Sequence, residues 1–179
     1  IGVESIDLLV GTHPHADHIG QFAEVLETYP VSEVWMSGDT NTTQTFEDAI
    51  DAVAASGAGY HEPRAGEVYQ LGSARIEVLS PEHLTGEANE GSIMFRLVFC
   101  DIAFMFTGDV EAPTEREVLD SGRDLQAQIL KLAHHGSDTS SSLAFLLAVK
   151  PELAIYSAGV DNTYGHPSDR VISDVVANN

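Results

Sequence analysis

Residues 12–18 read Thr12-His13-Pro14-His15-Ala16-Asp17-His18, three imidazoles and a carboxylate packed into one short segment. It follows the apolar run 5–10, which reads as a buried strand, and precedes 19–28, where Ile19, Phe22, Ala23, Val25 and Leu26 fall at helical spacing. A strand must end and a helix must begin on either side of a stiff polar loop, which demands a βα unit whose loop lies at a sheet edge. Neutral imidazole and carboxylate are ordinary zinc ligands at about 2.0–2.2 Å. His13 and His15, at alternate positions, can converge on one cation, while Asp17 and His18 can turn toward a second. Solvated or helix-capping histidines would be the plainer account, but so dense a set of donors argues against it.

The rest of the chain repeats the alternation of short apolar runs and amphipathic stretches, which predicts layered α and β structure. Strands are expected at 31–36, 74–79, 92–99, 103–107, 129–133 and 153–157, with Asp101 in a hairpin turn. Helices are expected at 46–55, 113–119, 143–149 and 171–177. Pro113 suits a first helical turn and Gly122 an exit. Repeats and low-complexity tracts are lacking, and 179 residues suit one domain, 1–179, with a real core. Cys100, the only cysteine, excludes an intrachain disulfide and a multi-cysteine zinc site, and its apolar surroundings read as a small buried hydrophobe. No run approaches the ~20 apolar residues of a membrane span. The first residue is Ile1 rather than Met, so the sequence leaves the compartment open.

Charge enters because it limits partners. Eight Lys and Arg stand against 28 Asp and Glu, a formal net charge of −20. Such a surface suits a protein that works at high salt, where screening tames self-repulsion, or one that needs cations locally. It argues against tight passive binding to nucleic acid, which rests on Lys and Arg neutralising phosphates.

Three later segments carry further donors. Phe106-Thr107-Gly108-Asp109 ends a strand on a tight turn and offers a carboxylate at the same sheet edge, although Gly-Asp after a strand is also ordinary turn chemistry. Leu130-Lys131-Leu132-Ala133-His134-His135-Gly136-Ser137 places adjacent histidines at a strand end. Successive strand side chains face opposite ways, so one can ligate while the other faces a substrate. Asn162-Thr163-Tyr164-Gly165-His166-Pro167 lies just past another strand and can be read as a turn with a solvated histidine.

His13-x-His15-x-Asp17-His18 is similar to the H-x-H-x-D-H signature of the metallo-β-lactamase superfamily. With Thr-Gly-Asp, His-His-Gly-Ser and Asn-x-Tyr-Gly-His-Pro, the chain resembles the hydrolase domain of ComEC-type DNA-uptake proteins from about Ile6 to Val176. The resemblance implies an αββα sandwich with one or two divalent ions at a sheet edge, zinc first and manganese as the alternative. His13 and His15 would hold one ion, Asp17 and His18 the other, and Asp109 would bridge them. His135 would be the late ligand, with His166 competing for that role. His134 would contact phosphate or protonate a leaving group, and Asp17 would orient or deprotonate water where the second ion is absent.

The departures are equally specific. No Asp-x-Gly-x-Gly-Asp-like opening segment is present, so the sandwich is expected to lack its first and last strands. A sheet face would then stay open, to be covered by a homodimer, a swapped assembly or an upstream segment. Where many members carry another ligand histidine, this chain has Asn89-Glu90-Gly91-Ser92, which leaves the first ion fewer ligands. His61 and His83 read as surface residues. A bound divalent ion lowers the pKa of its water to about 7 and supplies hydroxide at neutral pH, so no Ser or Cys nucleophile is required. The expected activity is metal-dependent hydrolysis of phosphodiesters in a small molecule or single-stranded nucleic acid. Small esters, lactones or β-lactams are the alternative substrates, and a non-catalytic interaction module is the alternative from another class.

Overall fold

The computed structural model describes residues 2–178. Strands β1 (Ile6–Gly11), β2 (Val31–Met36) and β3 (Gly59–His61) form a parallel sheet in that order. Helices α1 (Ala16–Ile19) and α2 (Phe22–Thr28) connect β1 to β2, and α3 (Gln44–Ser56) connects β2 to β3. In the second sheet β4 (Val68–Leu71), β5 (Ala74–Ser80), β6 (Met94–Phe99) and β7 (Ile102–Phe106) pair antiparallel. Strands β8 (Ile129–Lys131) and β9 (Leu153–Ile155) then extend it parallel to β7. Helices α4 (Ala112–Asp120), α5 (Leu143–Val149) and α6 (Asp169–Asn178) accompany this second half.

Alternation along β2 builds the layers. Val34 and Met36 pack with Ile19, Phe22, Ala49 and Val53 of the helices, whereas Trp35 packs with Ile76, Val78 and Phe95 of the larger sheet. On the far face of that sheet Met94, Met105 and Leu130 cluster with Val118, Phe145 and Val171 of α4, α5 and α6. Helix, sheet, sheet, helix is the αββα sandwich expected, each layer burying the apolar face of the next.

The two sheets are unequal. Register pairs Phe95 with Phe106, Leu97 with Phe104 and Phe99 with Ile102, and further along Ile129 with Leu153 and Lys131 with Ile155. All these side chains point to the side where the smaller sheet lies. That sheet covers Phe95 but not the far end: Phe99, Ile102, Phe106, Leu153 and Ile155 are 37–51% exposed. An open apolar sheet face is therefore present at the β7–β9 end.

Several expectations need correction. The single helix expected at 19–28 is two helices, because Gln21 leaves helical geometry (φ −104°, ψ 7°). Helix α1 starts earlier, at Ala16, so Asp17 and His18 sit on it rather than on the preceding loop. Cys100 is exposed, not buried: with φ 53° it forms, beside Asp101, the two-residue turn between Phe99 and Ile102. Tight hairpin turns demand positive φ, and that backbone need decides the position. His61 is half-buried rather than a free surface residue, with its Nε2 2.8 Å from Glu67 and 2.5 Å from the Tyr69 hydroxyl. The strand expected at 129–133 stops at Lys131, before the adjacent histidines.

Candidate metal centre

Strands β1, β7 and β8 end at one edge of the sandwich, and the loops after them meet there. Gly108 makes the meeting possible. Its φ is +54°, and a Cβ in that place would lie 2.8 Å from the Ser92 Cβ and 3.0 Å from the Thr12 Cβ. Only glycine gives both that backbone and that approach. The turn is then fixed by Asp109 N–H donating to Ser92 Oγ (3.1 Å) and His134 N–H donating to the Gly108 carbonyl (3.2 Å).

Asp109 is the hub. Its Oδ1 lies 3.3 Å from His18 Nε2, and its Oδ2 lies 3.4 Å from His135 Nε2 and 3.8 Å from His13 Nε2. Asp17 Oδ2 is 3.1 Å from His135 Nε2 and 3.7 Å from His18 Nε2. Donor atoms of Asp17, His18, Asp109 and His135 all fall within 4.8 Å of one another. His13 and His15 form an adjoining lobe, with His13 Nε2 3.0 Å from His15 Nδ1. The outer nitrogens are already engaged. Thr12 Oγ1 sits 3.1 Å from His13 Nδ1 and 3.2 Å from His18 Nδ1, and His135 Nδ1 lies 2.7 Å from the Ser157 carbonyl. A ring nitrogen that donates outward leaves Nε2 free to accept inward, as ligating histidines require.

Electrostatics tests whether a cation fits. Burial raises the Asp109 carboxyl, but His18, His13 and His135 outweigh it and hold that group well below the usual carboxylate range. Burial, then the neighbouring His18, holds His13 down to about 3, so its imidazole is neutral. His18 Nε2 and Asp109 Oδ1 are both buried without a hydrogen-bond partner, since their 3.3 Å contact lacks the alignment of one. Unpaired buried polar atoms are costly. Two of them within one ring of four donors, an ionised carboxylate among them, fit a divalent cation.

The late histidines separate. His134 and His135 lie not in a strand but in a left-handed turn, with φ of 47° and 57°, so the alternation argument does not apply. Both rings face Asp109: His134 Nε2 is 4.0 Å from its Oδ2, while His134 Nδ1 is 3.3 Å from Glu111 Oε1. His166 lies outside the four-donor group, its ring 5.6 Å from that of His134. Burial and then His134 and His135 lower its affinity for a proton. Asn89 donates to Glu111 Oε1 at 3.3 Å, and its own Oδ1 is buried without a partner. Glu111, Thr12 and the Ser157 carbonyl were not singled out by the sequence reading. Only Thr12 carried a local signal, as the residue opening the histidine segment.

Beside the centre lies a cavity of about 750 Å³. Beyond the donors, its wall is made by Asn89, His134, Asn162, Tyr164 and His166, with Ala16 and Ala158 as its largest aliphatic side chains. Among the described residues no Lys or Arg lines it.

A family model described as the metallo-beta-lactamase superfamily matches residues 1–160. The chain is 30% identical over 172 residues to ComE operon protein 3 of Bacillus subtilis (strain 168), covering 96% of this chain and 22% of that protein. It is 32% identical over 178 residues to Competence protein ComA of Neisseria gonorrhoeae, covering 98% of this chain and 23% of that protein. The chain thus spans less than a quarter of the length of either relative. Among solved structures, CmlA, a diiron beta-hydroxylase from Streptomyces venezuelae, superposes with a TM-score of 0.66 at 17% identity, over 98% of this chain and 42% of that one. At that identity the likeness speaks to the fold alone.

Proposed function

Because the chain belongs to the metallo-β-lactamase superfamily of metallo-hydrolases, we propose that its centre cleaves phosphodiester bonds, with single-stranded nucleic acid as the substrate class. The observation that carries this reading is the cavity wall. It offers imidazoles, amides and a phenol, and nothing aliphatic larger than alanine. Imidazole, amide and phenol groups can all donate to phosphoryl oxygens, and the apolar part of the wall is ring face and alanine rather than a pocket of branched chains. Likeness to a protein named as a competence protein supports a nucleic-acid substrate.

The donor set of imidazoles and carboxylates suits zinc first and manganese second. When bound, the divalent ion supplies Lewis acidity and a hydroxide nucleophile at neutral pH. Asp17, Asp109, His18 and His135 would hold it, and His13 and His15 with Asp109 would hold a second. Asp17 has a side chain 60% exposed and reaches the cavity, so where the ion it would hold is absent it would orient the attacking water or take its proton. His134 faces the cavity from outside the four-donor group. Its Nδ1 has the Glu111 carboxylate 3.3 Å away, a counter-charge for the protonated ring, and it gives a proton to the leaving oxygen.

The test combines metal content with turnover. Purified chain should retain one or two divalent ions per molecule and hydrolyse bis(p-nitrophenyl) phosphate and single-stranded DNA, but not a chromogenic β-lactam. Turnover of the β-lactam or a lactone, without any phosphodiester cleavage, would overturn the reading.

A further inference from the structure

We propose that Tyr164 is a stacking ledge for the nucleobase next to the scissile phosphate, and so positions a single strand without basic residues. The proposal rests on the phosphodiester reading of the same site. Tyr164 lines the cavity, yet 81% of it is exposed. Its ring lies nearly parallel to that of His166, with planes 15° apart and centroids 5.8 Å apart, an offset arrangement that leaves most of the tyrosine uncovered. The His166 ring in turn lies 5.6 Å from that of His134, beside the metal centre. So exposed a phenol ring presents a flat face to a planar ligand entering the cavity.

The ledge is held in place. Asn162 Nδ2 donates to the carbonyls of Gly159 (2.8 Å) and His166 (2.7 Å), and its Oδ1 accepts the His166 N–H at 3.0 Å. One amide thus closes the loop on both sides of Tyr164. Gly165, at φ +74°, makes the turn between tyrosine and histidine.

The ligand class follows from what the cavity lacks. Among the described residues no Lys or Arg lines the cavity to meet a phosphate, and a formal net charge of −20 repels a polyanion at long range. Affinity for a strand must then come from the metal centre and from the uncharged faces of the bases. Aromatic stacking supplies the second term, tolerates any base sequence and is insensitive to salt compared with ion pairing. A base on Tyr164 would leave the neighbouring phosphodiester within reach of His134.

The experiment measures KM and kcat of the metal-loaded chain on a short single-stranded oligonucleotide and on the same strand made abasic throughout. Tyr164→Ala should raise KM for the base-bearing strand roughly tenfold, in the range expected for one stacked base, with a smaller change in kcat. Tyr164→Trp should restore it. Wild-type protein should bind the abasic strand as weakly as Tyr164→Ala binds the base-bearing one. If KM is the same for wild type and Tyr164→Ala while the oligonucleotide is still cleaved, the ledge is wrong and the phosphodiester reading stands. If no phosphodiester is cleaved by metal-loaded wild type, that reading falls and the ledge falls with it.

Discussion

Thr12 shows how much one hydroxyl can arrange. A Ser or Thr oxygen has two acceptor sites, and Thr12 Oγ1 lies within 3.2 Å of the Nδ1 atoms of both His13 and His18. Both imidazoles can then donate outward and turn Nε2 toward Asp109. His135 achieves the same with the Ser157 carbonyl, which separates it from its neighbours in a testable way. His135→Ala should lose metal and activity together. His134→Ala and His166→Ala should keep their metal, and His134→Ala should be slower by roughly 10²–10⁴, the usual worth of a positioned acid. Metal analysis beside phosphodiester turnover reads all three; full occupancy in His135→Ala with loss in His166→Ala would reverse the assignment. Acid should also loosen the metal-free chain. Burial and His18 hold His13 near 3 in the folded state, against about 6.5 when unfolded, so the folded form binds fewer protons between those values. Stability is present above about pH 6.5 and lost as pH falls toward 3. Asp109, held below the usual carboxylate range, adds a loss of the same sign at the acid end. Urea midpoints at about pH 7 and pH 5 should differ accordingly, and less in His13→Asn; equal midpoints in the wild type would refute the account. At this scale His13, His15, Asp17 and His18 were legible because chemistry and spacing coincide in one segment. Glu111 and the Ser157 carbonyl were not, because their partners lie far off in sequence and a backbone oxygen leaves no mark in it.

Elements deliver these residues to the edge, and the connections between elements decide the geometry. The turn from β7 to α4 crosses within contact distance of Thr12 and Ser92 at Gly108. A side chain there must adopt φ +54° and push into two Cβ atoms. Gly108→Ala should therefore cost about 1–3 kcal/mol from backbone strain, before any displacement of neighbours is counted. Since Asp109 follows immediately, metal affinity should fall too. Thermal melting with calorimetric metal titration checks both; unchanged melting and affinity would show that the turn relaxes freely. Long amphipathic elements such as α3 were readable in the sequence because their apolar spacing persists across several turns. Strands β3 and β4 were missed because they are short, Gly59–His61 and Val68–Leu71, and present largely exposed or half-buried side chains. The break between α1 and α2 was hidden because apolar spacing continues straight through Gly20 and Gln21. It matters to the centre, since a separate short helix carries Asp17 and His18 toward Asp109.

For the molecule as a whole, charge and the open sheet face pull in opposite directions. A formal net charge of −20 on 179 residues makes copies repel one another and makes each fold repel itself. At the same time Ile102, Phe106, Leu153 and Ile155 leave an apolar surface on the β7–β9 end, of the kind proteins usually bury against another surface. Salt decides the contest. At about 0.01 M the Debye length is ~30 Å, so like-charged copies stay apart, while at about 1 M it shrinks to ~3 Å and the apolar term is left unopposed. Two consequences can be told apart by protein concentration. The melting temperature of dilute chain should rise with salt, because self-repulsion within one copy is screened. Association should also rise with salt, but only in concentrated samples, and light scattering should show dimers or larger species. Replacing Ile102 and Ile155 by Lys should abolish the association while leaving the dilute-solution salt response in place, since those residues lie outside the three buried clusters. Chain that remains monomeric at high concentration in molar salt would show that this face does not join copies. A melting temperature flat from low to molar salt would show that the 28 acidic groups are arranged without mutual strain. Neither outcome would touch the metal centre, whose Asp109 and His13 are buried, and buried charges are screened little by bulk salt.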